Sequence, residues 1–130
     1  MYKPNSPYSA SKASSNHLVR AWQKTFNLPC VITSCSNNFG PYQHPEKFIP
    51  VVIIKGIMKK KIPIYGNGRN IRDWIYVEDH IDALISIMEK NLINKTFLIG
   101  ANSEKENIET VNIICDILND IWDNSYLHQD

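Results

Sequence analysis

Between Tyr8 and Phe26 the residues Ala10, Ala13, Leu18, Val19, Ala21, Trp22 and Phe26 recur mostly three and four apart, and the β-prone run Cys30-Val31-Ile32-Thr33 follows almost at once. The spacing predicts a helix. Ser6 as N-cap and Pro7 at the first helical position predict where it starts, and Asn27-Leu28-Pro29 predicts where it stops. A helix feeding directly into a short strand of the buried type points to an α/β layer. The same order returns later: acidic residues open a helix from about Glu78 to Lys90, with Ile81, Leu84, Ile85 and Met88 on one face, and Thr96 to Gly100 reads as a strand after it.

The remaining segments fit that alternation. Phe48 to Lys60 predicts a helix, and Ile62-Pro63-Ile64-Tyr65 a short strand that its proline confines to a sheet edge, ahead of the turn Gly66-Asn67-Gly68. Arg72 to Val77 reads as extended. Ser34 to Pro45 and Ala101 to Asn107 read as loops, the first too aromatic to be a plain linker. A last amphipathic helix carries Ile108, Val111, Ile114, Cys115, Leu118 and Ile121 on its apolar face and is expected to end near Ile121; from Asp123 to Asp130 no pattern is legible.

At 130 residues, 43% hydrophobic and 21% charged, the chain has the composition of one globular domain. A net charge of +1 gives no field for nucleic acid or an anionic membrane, and Lys59-Lys60-Lys61 reads as a solvated helix end. Phe48 to Met58, interrupted by Pro50, Lys55 and Gly56, is far short of the roughly 20 apolar residues a bilayer requires. The opening Met1 to Pro7 has no apolar leader. Cys30, Cys35 and Cys115 form no C-x-x-C pair, which points to reduced thiols in a cytoplasmic setting, and His17, His44, His80 and His128 show no metal-ligand spacing. No metal is expected.

Chemistry enters with Tyr8-Ser9-Ala10-Ser11-Lys12, because side chains four apart on a helix can meet. An ammonium about 4 Å from a phenolate stabilises it by about 4 kcal/mol at an effective dielectric near 20, comparable with the ~3 pKa units that separate a free phenol from neutrality. The pair alone is as common as any surface Tyr/Lys pair. Three longer blocks narrow the choice: Pro7 to Ser15, Ser36-Asn37-Asn38-Phe39-Gly40-Pro41-Tyr42, and Ile71-Arg72-Asp73-Trp74-Ile75-Tyr76-Val77-Glu78-Asp79-His80. In that order they closely resemble the dTDP-glucose 4,6-dehydratases of the extended short-chain dehydrogenase/reductase superfamily. Pro45 to Pro50, Pro63 to Gly66 and Glu104 to Ile108 fit the same family.

The resemblance implies a partial Rossmann-like doubly wound α/β sheet, its later strands and helices, interleaved over residues 1–122 with part of a small substrate-binding domain, and an unassigned tail at 123–130. It implies NAD as cofactor and dTDP-glucose as substrate, converted to the 4-keto-6-deoxy sugar. Tyr8 would take the C4 hydroxyl proton while Lys12 steadies the phenolate and holds the nicotinamide ribose. Cys35 and Asn38 would line the nicotinamide end. Asn37, Lys47, Phe48, Pro63, Tyr65, Arg72 and Asn107 would surround the nucleotide diphosphate, Arg72 as a bidentate fork and Lys47 as a point charge. Asp73, Glu78 and Asp79 read as structural. The helix from Tyr8 to Phe26 would pair two copies in a homodimer. Gly40, Gly56, Gly66, Gly68 and Gly100 form no G-x-G-x-x-G, and the family's Thr-Asp-Glu segment before the tyrosine is absent. A piece cut at both ends and inactive alone is therefore expected, with a sheet edge left open. A UDP-sugar epimerase or decarboxylase relative, and a non-catalytic interaction module, are the alternatives.

Overall fold

A computed structural model describes residues 3–126, with side chains as far as Asp123. The element order is α1 (Pro7–Phe26), β1 (Ile32–Cys35), β2 (Asn37–Phe39), α2 (Phe48–Ile57), β3 (Ile71–Tyr76), α3 (Val77–Glu89), β4 (Thr96–Ile99), β5 (Glu104–Glu106) and α4 (Asn107–Tyr126). The chain divides into two compact units, each assembled from two separate stretches.

The first unit joins the residues up to Cys35 with Ile81–Ile99. Its sheet is the parallel pair β1–β4, with Ile32 opposite Thr96 and Cys35 opposite Ile99. Two backbone bonds set where that ladder begins: the Asn94 amide donates to the Cys30 carbonyl at 2.7 Å and the Ile32 amide to the Lys95 carbonyl at 3.1 Å. The strand is therefore Ile32–Cys35 rather than Cys30–Thr33. α1 starts as its sequence requires, with Ser6 extended and its hydroxyl accepting from the Ser9 amide at 3.1 Å, and it ends on Asn27 in the left-handed region. None of its residues is buried. The end of α3 is closed by Asn91 at φ +49°, where the Leu92 amide donates to the Ile87 carbonyl and the Asn91 amide to that of Met88.

The second unit joins Ser36–His80 with the residues from Gly100 onward. Its sheet has the order β2-β3-β5: β2 runs parallel to β3, with Asn37 opposite Trp74, and β5 antiparallel, with Asp73 opposite Glu104. The core joins Ile75 on β3, Val52 on α2 and Val111 on α4, all buried. Burying the Val52 side chain contributes about 1.5–3 kcal/mol. α2 and α4 approach closely at Gly56, where a methyl group would stand 2.6 Å from Leu118 Cδ1.

Four further expectations change. Ile62–Tyr65 forms no strand: Pro63 has no N–H to give a ladder, and the segment has no regular secondary structure. Asn37–Phe39 and Glu104–Glu106, expected as loops, are strands because β3 offers them both of its edges. α2 stops at Ile57, where Lys59 turns left-handed (φ +51°) and the Lys60 and Lys59 amides close back on the Lys55 and Gly56 carbonyls. α4 continues past Ile121 to Tyr126, since an established helix gains a hydrogen bond with each added residue. Residues 127–130 of the unassigned tail lie outside those described.

Candidate active site

Each unit gathers part of the expected constellation. In the first, capping by Ser6 and Pro7 puts Tyr8 in the opening turn of α1 and Lys12 one turn further on. The Ser11 hydroxyl donates to the Tyr8 carbonyl at 2.8 Å, which ties it to the same turn. Tyr8 and Lys12 share a recess of about 720 Å³ with Cys35, at the carboxyl end of β1, and with Thr33 and Ser34. Tyr8 is 75% exposed, so its hydroxyl is open to a reactant entering that recess. The carboxyl end of a parallel strand is where open α/β sheets bind ligands.

In the second unit, six of the seven residues expected around a diphosphate line one recess of about 270 Å³: Asn37, Phe48, Pro63, Tyr65, Arg72 and Asn107. They come from β2, the start of α2, the irregular 62–65 segment, β3 and the first position of α4. Strand alternation explains part of the convergence. Arg72 and Trp74 share one face of β3, and Asn37 stands opposite Trp74 on the neighbouring strand. Phe48 stacks on Trp74 with ring centroids 6.0 Å apart, which fixes the entry of α2 against the sheet. Arg72 Nη1 donates to its neighbour's carbonyl on Ile71 at 3.2 Å, leaving the rest of the fork to the recess.

The seventh residue differs. Lys47 does not line the recess; it is the N-cap of α2, and its ammonium pairs with Glu46 at 3.2 Å. Glu46 lines the recess instead, together with Val51 and Trp74. None of the three was singled out as a site residue. Trp74 could have been, since it is the β3 residue that shares a face with Arg72. Asn38 belongs to the second unit, in the middle of β2, where its amide nitrogen donates to the Ser36 carbonyl at 3.3 Å and its carbonyl accepts from Gln43 at 2.9 Å. No cluster of three potential metal ligands occurs among the described residues.

The family model described as the NAD dependent epimerase/dehydratase family matches residues 1–100. The chain belongs to that family. Among curated members, dTDP-glucose 4,6-dehydratase 1 of Escherichia coli (strain K12) is 55% identical over 120 residues, 92% of this chain and 33% of the relative. The chain thus spans about a third of the length of the curated relatives it matches. Among solved members, dTDP-glucose 4,6-dehydratase from Bacillus anthracis in complex with NAD superposes with a TM-score of 0.88 at 45% identity, over 92% of this chain and 38% of that one. UDP-glucuronic acid 4-epimerase from Bacillus cereus in complex with UDP-glucuronic acid and NAD gives 0.87 at 28% identity, with the same coverage. The family's Rossmann-like α/β fold is therefore the fold of this chain, and none of its described helices is long and apolar enough to cross a membrane.

Proposed function

We propose that these residues carry the acid/base pair and the diphosphate recess of an NAD-dependent dTDP-glucose 4,6-dehydratase. The observation that carries this reading is the convergence of Asn37, Phe48, Pro63, Tyr65, Arg72 and Asn107, from separate stretches of chain, on one recess with one guanidinium. Arg72 suits paired phosphate oxygens. Asn37 and Asn107 supply amide donors, and Phe48, Pro63 and Tyr65 supply an apolar rim. The first turn of α2 adds backbone amides with no side-chain cap, at the electropositive end of a helix.

The recess beside Tyr8 and Lys12 suits the nicotinamide ribose: a phenol and an ammonium one helical turn apart can engage its hydroxyls, and Cys35 lines the same recess. No glycine-rich turn for a pyrophosphate occurs in these residues. NAD, when bound, supplies the hydride acceptor for C4 and the donor for C6, so none is consumed overall. Tyr8 takes the C4 hydroxyl proton as that carbon is oxidised, and Lys12 holds the phenolate charge. The resulting ketone acidifies the C5 proton, the C5 proton and the C6 hydroxyl leave as water, and the C5–C6 double bond is then saturated by a hydride at C6 and a proton at C5. C4 stays a ketone, and Tyr8 gives up its proton to solvent. Arg72 and the amides around it anchor the diphosphate so that the hexose alone moves.

The two units represent interleaved parts of the cofactor fold and the substrate domain. On α1, exposed Leu18, Trp22 and Phe26 lie four apart along one face, with the last two rings 4.8 Å apart, and support pairing with a second copy in the cytoplasm. The 55% identity to a dTDP-glucose dehydratase, against 28% for the epimerase, favours the dehydratase. The test is 4-keto-sugar formation from dTDP-glucose by this chain mixed with the separately expressed N-terminal segment of a related dehydratase. Product in the mixture that is lost on Tyr8→Phe supports the proposal. Product that survives Tyr8→Phe contradicts the role of the tyrosine.

A further inference from the structure

Alternation along β3 sends Arg72 to the recess and Asp73 to the opposite face. There the Asp73 carboxylate meets the loop that joins β4 to β5. Oδ1 accepts from the Ser103 amide at 2.7 Å and Oδ2 from the Ala101 amide at 3.1 Å. The loop fits so tightly that a methyl group at Gly100 would stand 2.6 Å from Oδ2. The Ser36 hydroxyl lies on the same side, at the foot of β2. The backbone closes the loop a second time, the Trp74 amide donating to the Ser103 carbonyl at 3.3 Å.

This clamp fixes the register between β3 and β5. β5 is only three residues long, all of them charged, and has no apolar face of its own to choose a pairing. With Ser103 held, Glu104 falls opposite Asp73, Lys105 opposite Arg72 and Glu106 opposite Ile71. Asn107 then starts α4, its amide donating to the Asn70 carbonyl at 3.0 Å. Both ends of the strand pair that carries Arg72 and Asn107 are thus set, one by Asp73 and one by Asn70. A slip of one residue would turn Asn107 away from the recess.

We infer that Asp73 is a positioning residue: by clamping the 100–103 loop it holds Asn107 beside Arg72 in the recess that binds the diphosphate. The inference rests on the diphosphate reading given above. It separates two neighbours in sequence, Arg72 touching the ligand and Asp73 acting through the chain. The Ser103 amide does most to stabilise the carboxylate charge, and together with Ser36 and the amides of Ala101 and Asn102 it outweighs desolvation and holds the carboxyl below its ordinary pKa.

The experiment compares wild type, Asp73→Asn, Gly100→Ala and the double variant by residue-resolved amide exchange and by dTDP titration. Asp73→Asn keeps the side-chain shape but turns one acceptor into a donor facing an amide. Gly100→Ala attacks the same contact from the loop. Each is expected to speed exchange at Ser103 and Asn107 and to weaken dTDP about tenfold, the scale of one charge-assisted hydrogen bond, while Val52 and Val111 exchange as in wild type. The double variant should be no weaker than the worse single one, because both break one contact. Unchanged exchange at Ser103 and Asn107, or full dTDP affinity in Asp73→Asn, overturns the inference. Uniformly faster exchange at Val52 and Val111 also overturns it, since that marks a purely structural role. If wild type itself does not bind dTDP, the diphosphate reading fails, while the exchange arm still decides whether Asp73 holds Asn107.

Discussion

Gly68 and Gly66 offer a controlled pair. Both are left-handed, at φ +72° and +62°, so a side chain at either costs about 1–2 kcal/mol of backbone strain. Alanine also narrows the unfolded ensemble, which offsets about 0.4–1 kcal/mol of that. They differ in surroundings: an added methyl at Gly66 meets nothing within 4 Å, whereas at Gly68 it stands 3.0 Å from Ile64 Cγ2 and 3.1 Å from Ile108 Cβ. Crowding of that kind adds about 1–3 kcal/mol. Gly66→Ala should therefore cost about 1 kcal/mol and Gly68→Ala about 2–4 kcal/mol. The consequence reaches the site, because the Gly68 carbonyl accepts the Ile108 amide at 3.0 Å, directly after Asn107. Urea denaturation, followed through the resonances of Ile75 and Val111 in the second unit, reads the costs. Equal costs for the two variants, or a Gly68→Ala protein within 1 kcal/mol of wild type, would refute the placement of the 64–68 turn against α4.

Val52→Ala removes two methyl groups from a fully buried position and should destabilise the second unit by about 2–3 kcal/mol in the same assay. Ser6→Ala removes the acceptor of the Ser9 amide, and the loss of that cap should cost about 1 kcal/mol of α1 helicity, measurable by circular dichroism. Asp73 titrates below its ordinary range when folded, so its contribution is present above the unfolded carboxylate pKa and is lost as pH falls through the folded one. Asp73→Asn should accordingly flatten the acid limb of stability against pH and leave the neutral limb's shape unchanged.

Much of the architecture was legible because local chemistry and tertiary structure agree. The cap at Ser6-Pro7, the stop at Asn27 and the apolar spacing of α3 each name an element end without reference to the rest of the chain. The misses share a cause. β2 and β5 contain Asn and Glu where strands usually carry β-branched residues, and they are strands only because β3 has two free edges to pair with. Conversely, Ile62 to Tyr65 has the residues of a strand, yet Pro63 denies it a donor. For the site, Arg72, Asn37 and Asn107 could be anticipated from the family blocks. The displacement of Lys47 could not, since its pairing with Glu46 depends on how the chain enters α2. The clamp at Asp73 was also hidden, because its partners are backbone amides about thirty residues away, which no side-chain pattern announces.

The central claim is that one recess of the second unit binds a nucleoside diphosphate. It is tested most directly by titrating dTDP into the chain while following the resonances of Asn37, Phe48, Arg72 and Asn107, with Arg72→Ala as control. Shifts concentrated on those residues and abolished by Arg72→Ala are the predicted result. Shifts that leave them unmoved, or that persist without the guanidinium, would contradict the account.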